Sequence, residues 1–267
     1  MLETLHLYLR LLGVSVRGQM QYRGSFAMLT FAHLLTTGIE FGGICALFAR
    51  FGNLRGWSLP EVALLYGMIN VSFALAEGVG RGFDLFPNMV RSGDFDRVLL
   101  RPRSTALQIA GQELQLMRLG RFLQGFGALA WGSHALDTAW SPATAALLVA
   151  AVLGGACLFY GLFVLQATMA FWTIETLEIA NTVTYGGTET AQYPFTIYRP
   201  WFRRFFTLVV PLICANYLPA QAILGRPDPL GSPPLLQWLA PLAGVAFLAV
   251  ALRLWEVGVR HYRSTGS

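Results

Sequence analysis

The chain contains no lysine, and all 19 of its basic residues are arginine. Charged residues make up only 12% of the sequence, about half of what a water-soluble domain usually carries. With 55% hydrophobic residues and a mean hydropathy of +0.52, the composition excludes an ordinary soluble domain and predicts an integral membrane protein. The missing lysine, beside abundant alanine, glycine and leucine, is typical of a GC-rich bacterial genome, so we expect a bacterial cytoplasmic (inner) membrane.

Motifs of several catalytic and binding classes are also missing from the sequence. It has no G-x-x-x-x-G-K-[ST] phosphate loop and no H-E-x-x-H zinc motif. The three cysteines, Cys45, Cys157 and Cys214, lie in apolar stretches without C-x-x-C spacing, which predicts neither a disulfide nor a metal site. The net charge of +5 does not indicate nucleic-acid binding, because loop arginines in a membrane protein set its topology. We therefore predict a chain that is not an enzyme and binds no cofactor.

The apolar segments predict an all-α membrane protein with six spans, since each span needs about 20 residues. Their predicted ranges are 26–49, 61–81, 116–136, 143–172, 205–223 and 235–255. The single domain, 1–267, then divides into an interfacial amphipathic helix (1–25), spans one and two (26–81), a cytoplasmic loop (82–104), spans three and four (105–172), a cytoplasmic segment (173–204), spans five and six (205–255) and a cytoplasmic tail (256–267).

The distribution of arginine predicts the orientation of these spans. With both termini in the cytoplasm, the outer loops contain only Arg50, Arg55 and Arg226. The inner segments contain most of the other arginines, including the three within residues 199–204. An excess of basic residues inside is the rule for membrane proteins, so we expect both termini to be cytoplasmic.

The loop between spans two and three has the pattern of a short amphipathic helix. Gly93 can end the incoming helix, and Asp94 is a suitable N-cap. One helix face would carry Phe95, Val98, Leu99 and Pro102, and the other sides Asp96, Arg97 and Arg101. Such a helix on the cytoplasmic side is suited to being held by another protein. The alternative is an ordinary connecting loop with solvated charges.

Three ionisable residues, His33, Glu40 and Glu77, lie within predicted spans, where such groups are costly and often functional. They would line a transport path, or they would form buried polar pairs with Arg118 or Arg121. We expect the two arginines to extend back to the cytoplasmic surface.

Two other function classes fit parts of this pattern less well. A proton-coupled secondary carrier would use His33, Glu40 and Glu77, but such carriers usually contain an internal repeat, and none is visible. A membrane-embedded protease would use the Gly-x-Ser-x pattern of residues 13–16, which falls in the interfacial segment and not in a span.

Several runs, in this order and spacing, resemble one bacterial branch of the permease subunits of type-2 ABC (ABC-2) transporters. The first is Ser92-Gly-Asp-Phe-Asp-Arg-Val-Leu-Leu-Arg-Pro102, and the second is Tyr193-Pro-Phe-Thr-Ile-Tyr198. Pro211, Pro219-Ala220 and Leu224-Gly225 follow. An interfacial helix before span one, a coupling helix after span two and six spans per subunit are further points of resemblance.

This resemblance implies an exporter subunit that works with a separate ATPase, which would bind ATP and magnesium. Residues 94–100 would form a coupling helix that inserts into a groove of the ATPase, with Phe95, Val98 and Leu99 in apolar contact. The rim charges would come from Asp96, Arg97 and Arg101. The transport path would lie between two permease halves. A heterodimer is expected, and a homodimer is the alternative. The apolar spans themselves favour an amphipathic or lipid-like cargo.

Overall fold

The computed structural model describes residues 13–14, 16–113, 115–136, 138–173 and 177–264, and of residues 177–180 only the backbone. The predicted interfacial helix lies mostly outside the described residues, and so does the serine at position 15. The described part is helical and contains no strand. The prediction of an all-α membrane protein is therefore confirmed.

Eleven helices are named here in chain order within the described residues. They are α1 (Arg23–Phe51), α2 (Leu59–Ser92), α3 (Phe95–Leu99), α4 (Thr105–Ala110), α5 (Leu119–Ala135), α6 (Pro142–Met169), α7 (Leu177–Ala191), α8 (Pro200–Leu208), α9 (Leu218–Leu224), α10 (Pro234–Leu239) and α11 (Leu242–His261). Short 3-10 turns precede α1, α5 and α8, and a π-helical turn, Ile213–Tyr217, leads into α9.

Four helices are long and apolar enough to cross a membrane: Val16–Phe51, which includes α1, then α2, α6 and α11. A fifth crossing would require the pair α8 and Ile213–Leu224, which is bent by 82°. Helices α5 and α7 contain 17 and 15 residues, fewer than the roughly 20 that a spanning helix needs. The described residues thus support four to five spans by length and composition.

Helix α2 is the central element of the bundle, because 83% of its most apolar stretch is buried. It begins where the sequence predicts. The side chain of Glu61 accepts a hydrogen bond from the Ser58 backbone N–H at 2.7 Å, and Pro60 occupies the first turn. Helices α5, α6 and α7 pack around it, and α1, which packs mainly on α5, contacts it through Tyr66. Any polar side chain on α2 must therefore find its partner inside the protein.

The predicted loop at 82–104 is too long, because α2 continues without a break to Ser92. The glycines at 78, 80 and 82 are inside this helix. A Cβ at Gly82 would overlap the carbonyl oxygen of Ile109, and one at Gly80 would lie 2.8 Å from the Phe163 ring. These two glycines allow close packing, as small residues do between membrane helices.

The bundle has two ends, which α2 separates by about 50 Å. Its C-terminal end carries α3, and we call this the coupling end. At its N-terminal end, which we call the far end, the Arg55 guanidinium donates a hydrogen bond to the Thr196 carbonyl oxygen at 3.2 Å. The ring of Tyr217 packs there against Trp57 at 5.9 Å and Phe195 at 6.2 Å.

This geometry corrects the prediction that residues 82–104 and 173–204 lie on one side of the membrane. Residues 193–204 are at the far end, and α3 is at the coupling end. The polar stretch after α6 contains helix α7, whose Tyr185 contacts the middle of α2 and whose Ala191 is level with Leu65. Helix α7 therefore runs along α2 from the coupling end towards the far end, where the sequence alone indicated a loop.

The predicted fifth span, at 205–223, is a bent helix pair with both ends at the same end of the bundle, and we call residues 200–224 the re-entrant segment. The chain enters the bundle at α8 and reaches the depth of Ser72, where Ala215 lies near Gly155. It then returns, because the Asn216 amide donates to the Leu65 carbonyl oxygen at 3.3 Å and Arg226 pairs with Glu61 at 2.6 Å. Both ends of the segment thus lie at the far end, and Pro211 lies at the bend.

Replacing Gly82 with alanine should destabilise the protein by about 1–3 kcal/mol, because the new methyl group meets backbone that cannot move aside. Gly78→Ala is the matched control in the same helix. It has nothing within 4 Å of its Cβ position and should be neutral or stabilising by up to about 1 kcal/mol. Thermal unfolding in detergent measures both, and equal effects would contradict this packing.

Candidate functional sites

Helix α3 is fixed to the coupling end by an aromatic cluster. The ring of Phe95 is fully buried and lies 5.0 Å from Phe86 on α2 and 5.0 Å from Tyr262 after α11. It also contacts Phe171, just after α6, at 5.7 Å and Trp255 on α11 at 6.4 Å. One side chain of this short helix thus touches the ends of three long helices.

Hydrogen bonds reinforce this attachment. The Gln108 amide donates to the Val98 and Arg103 carbonyl oxygens at 3.3 and 3.2 Å, which fixes the chain after α3 against α4. The Ser264 hydroxyl donates to the Asp96 carboxylate at 2.6 Å, which joins the tail to α3. Partial burial raises the pKa of the Tyr262 hydroxyl, and the nearby negative charge of Asp96 raises it further.

The start of α3 is as predicted, but its cap is different. Gly93 ends α2 in the left-handed conformation, with φ of 74°. The Asp94 side chain does not cap the helix. Asp94 has helical backbone angles, and its side chain makes no hydrogen bond to the first-turn N–H groups. Its carboxylate accepts a hydrogen bond from the Ser92 hydroxyl at 2.7 Å and lies 3.5 Å from Arg97.

The surface of α3 differs from the predicted contact set. Phe95 and Val98 are 0% and 5% exposed, so their apolar contacts are made within this chain. Leu99 and Leu100 are 40% and 84% exposed. Exposed polar and proline neighbours surround them: Arg91, Asp94, Arg97, Arg101, Pro102 and Arg103. Residues 97–103 thus form an apolar and basic patch on the surface of the coupling end.

A second site is the polar cluster inside the bundle. Glu77 on α2 is fully buried, and one of its carboxylate oxygens lies 2.8 Å from the Arg118 guanidinium and accepts a hydrogen bond from the Tyr185 hydroxyl at 3.1 Å. The other oxygen, Oε2, has no partner among the described residues. A buried ion pair loses its solvation, so each partner depends on the other for compensation.

Arg121 does not extend to the surface as predicted. Its side chain is buried and donates a hydrogen bond from Nε to the Asn70 amide oxygen at 2.9 Å. Its guanidinium lies 4.6 Å from the centre of the Phe73 ring, a cation–π contact, and 3.6 Å from Glu189 on α7. Arg118, paired with Glu77, is likewise held inside the bundle.

Two of the predicted ionisable residues take no part in these ion pairs. The Cβ of His33 lies 3.2 Å from the Cβ position of Gly120, which is between Arg118 and Arg121 in the chain. Glu40 has a buried oxygen, Oε2, without a hydrogen bond in the described part of the chain.

Sequence reasoning missed Tyr185 and Glu189, which complete the polar cluster. They are four residues apart and therefore share a face of α7. This spacing was the signal in the sequence that could have placed them on one helix face. The polar composition of residues 173–204 did not indicate a helix inside the bundle, so the spacing was overlooked.

Removing either charge of the Glu77–Arg118 pair should destabilise the protein strongly. Glu77→Gln and Arg118→Gln should each cost about 3 kcal/mol, since each leaves a buried charge unpaired. The double variant should recover much of that loss. The exposed pair Arg253–Glu256 is the control, and Glu256→Gln should cost less than about 1 kcal/mol. Thermal unfolding in detergent gives the four values, and additive losses in the double variant would contradict the pairing.

Comparison with known proteins agrees with this architecture. Residues 34–266 match the model of a family described as ABC-2 family transporter protein. No curated protein and no solved structure matches the chain. The match covers most of the sequence, from within α1 to the tail beyond α11, and it does not favour a proton-coupled carrier. The chain belongs to the ABC-2 family, as a multi-pass permease component of an ABC transporter.

Proposed function

We propose that this chain is the membrane-spanning half of an exporter that is driven by ATP hydrolysis in a separate subunit. The partner ATPase would bind ATP and magnesium, and this chain would bind neither. Membership of the ABC-2 family implies an ATPase partner and a membrane location. The rest of the proposal is based on the exposed patch at residues 97–103.

The chemistry of the patch supports a protein partner with an apolar groove and an acidic rim. Leu100 is the most exposed large hydrophobic residue that the structure describes, and it projects next to Leu99. Arg97, Arg101 and Arg103 are exposed around it. An apolar centre with charges at the edge is the usual arrangement of a protein interface.

The anchoring of α3 supports a mechanical role. Because Phe95 contacts the ends of α2, α6 and α11, a displacement of α3 by the ATPase would act on three long helices at once. Closely packed aromatic rings transmit such a displacement, since protein interiors resist compression. Phe95 and Val98 thus act as the inner anchor, and Leu99 and Leu100 as the outer contact.

We further infer six crossings, with α5 and α7 as two short ones. The crossings would be α1, α2, α5, α6, α7 and α11, with α8 and α9 re-entrant from the far end. Both termini would then lie at the coupling end. The coupling end would face the cytoplasm of a bacterial cell, because Arg91, Arg97, Arg101 and Arg103 are concentrated there.

A second permease subunit would complete the transport path. Gly38 and Gly42 on α1 have no described atom within 4 Å of their Cβ positions, and Leu35 and Ile39 beside them are exposed. Such a surface suits close packing with another membrane helix. We propose a heterodimer, with an amphipathic or lipid-like cargo moving between the halves.

The test is co-purification of the ATPase with a variant that changes only the outer contact. Leu100→Arg should weaken the complex by at least about 30-fold, as loss of an interface hot spot does, without unfolding the chain. Affinity purification from native membranes, with mass spectrometry of the eluate, measures the retained ATPase. The same eluate reveals whether a second, different permease is present.

The matched control is Leu230→Arg, which introduces the same change at a 37% exposed leucine in a far-end loop. It should retain the ATPase fully. Equal retention by Leu100→Arg and Leu230→Arg would refute the role of the patch. Absence of any ATPase from the wild-type eluate would refute the proposed function.

A further inference from the structure

Three arginines lie at the end of the bundle where the sequence predicts few. Arg199, Arg203 and Arg204 begin helix α8, and Thr196 just before them is bonded to Arg55 at the far end. Basic residues on the face opposite the coupling helix run against the usual distribution of charge in membrane proteins. Their presence there needs a physical reason.

Three acidic side chains in this half of the bundle have other partners, one of them being Glu189, which lies 3.6 Å from Arg121. Glu61 pairs with Arg226, and Asp228 accepts hydrogen bonds from the Tyr217 hydroxyl at 2.8 Å and from two backbone N–H groups. Among the described residues, none of the three arginines of α8 makes an ion pair. Arg199 and Arg204 are exposed, and Arg203 is partly buried. The described residues therefore do not neutralise this charge by ion pairing.

Helix α8 changes character along its length. Its first turn presents Trp201, which is 67% exposed, next to the arginines. Its last turn and the residue after it present Leu208 and Val209, which are 79% and 59% exposed. The buried side, with Phe202 and Phe206, packs on the core. The exposed side of α8 is therefore basic and aromatic at its first turn and apolar about 13 Å further along the helix axis.

This gradient matches the depth profile of a bilayer leaflet. Tryptophan and arginine are favourable at the level of the headgroups, whereas exposed leucine and valine are favourable in the hydrocarbon. Because the re-entrant segment enters the bundle from the far end, the first turn of α8 is the outermost part of this helix. At that depth the nearest abundant anions are lipid phosphates, which guanidinium groups bind through paired N–H donors.

We propose that the first turn of α8, with Arg199, Arg203, Arg204 and Trp201, is a binding site for the headgroup of an anionic phospholipid in the leaflet at the far end. The lipid phosphate neutralises the arginines, and an acyl chain lies along Leu208 and Val209. The site holds the entrance of the re-entrant segment at the membrane surface. It requires that the chain is in a bilayer, but it does not require the ATPase partner.

Quenching of Trp201 fluorescence by brominated lipid tests this site, because bromine quenches only at close range. The purified chain is reconstituted in phosphatidylcholine vesicles that contain a minor fraction of brominated phosphatidylglycerol or brominated phosphatidylcholine. The difference between the wild type and Trp201→Phe isolates the signal of this tryptophan. We expect stronger quenching by phosphatidylglycerol. The preference is the ratio of the affinities of the site for phosphatidylglycerol and for phosphatidylcholine. It should fall about fivefold when one arginine becomes glutamine and on the order of 100-fold when all three do.

The charge-matched control is the triple change of Arg91, Arg101 and Arg103 to glutamine at the coupling end, which should leave the preference intact. Equal quenching by the two lipids in the wild type would overturn the proposal, as would an equal loss in both triple variants. Displacement of the brominated lipid by millimolar inorganic phosphate would show a site for free phosphate and would also overturn it. Each of these outcomes leaves the assignment of the permease untouched.

Discussion

The enclosure of helix α2 is the constraint on which the rest of the structure depends. A helix buried on almost all sides within a membrane bundle must have its polar side chains satisfied by its neighbours, because neither water nor lipid can do so. Asn70 therefore requires Arg121 on α5, and Glu77 requires Arg118 in the turn before α5 and Tyr185 on α7. These bonds explain how two short and partly polar helices come to lie along the central one.

The same enclosure links the two ends of the molecule. At the coupling end, the aromatic cluster joins α2 to α6, α11 and the short helix α3. At the far end, the N-terminal turn of α2 holds the return of the re-entrant segment through Glu61 and Arg226. Under the proposed function, a displacement of α3 by the ATPase would reach the helix that also supports the opposite surface.

Much of this could be predicted from local sequence, and the exceptions share one cause. Long apolar runs indicated α1, α2, α6 and α11, and Gly93 indicated the end of α2, because hydropathy and glycine geometry act over a few residues. Helix α7 was missed because its polar side chains are acceptable only with partners far away in the chain: Tyr185 and Glu77 are 108 residues apart.

The fate of the arginines illustrates the same limit. Arg121 was expected to reach the surface, but Asn70 and Phe73 provide a polar and an aromatic contact inside the bundle. The three arginines at 199–204 were assigned to the coupling end, which is the wrong end. The segment that follows them, with Pro211 and Pro219, is as apolar as a membrane span and was therefore predicted to be one. Only the contacts of Asn216 and Arg226 with α2 reveal that the segment returns to its own side.

The most direct test of this account is the side of the membrane on which α3 and α8 are accessible. After Cys45, Cys157 and Cys214 are replaced by alanine, single cysteines are introduced as Arg97→Cys and Arg204→Cys and labelled with a membrane-impermeant maleimide in intact cells and in inverted vesicles. The account predicts that Arg97→Cys is labelled only in inverted vesicles and Arg204→Cys only in intact cells. Labelling of both cysteines from the same side would contradict the re-entrant segment, and with it the two-ended organisation around α2.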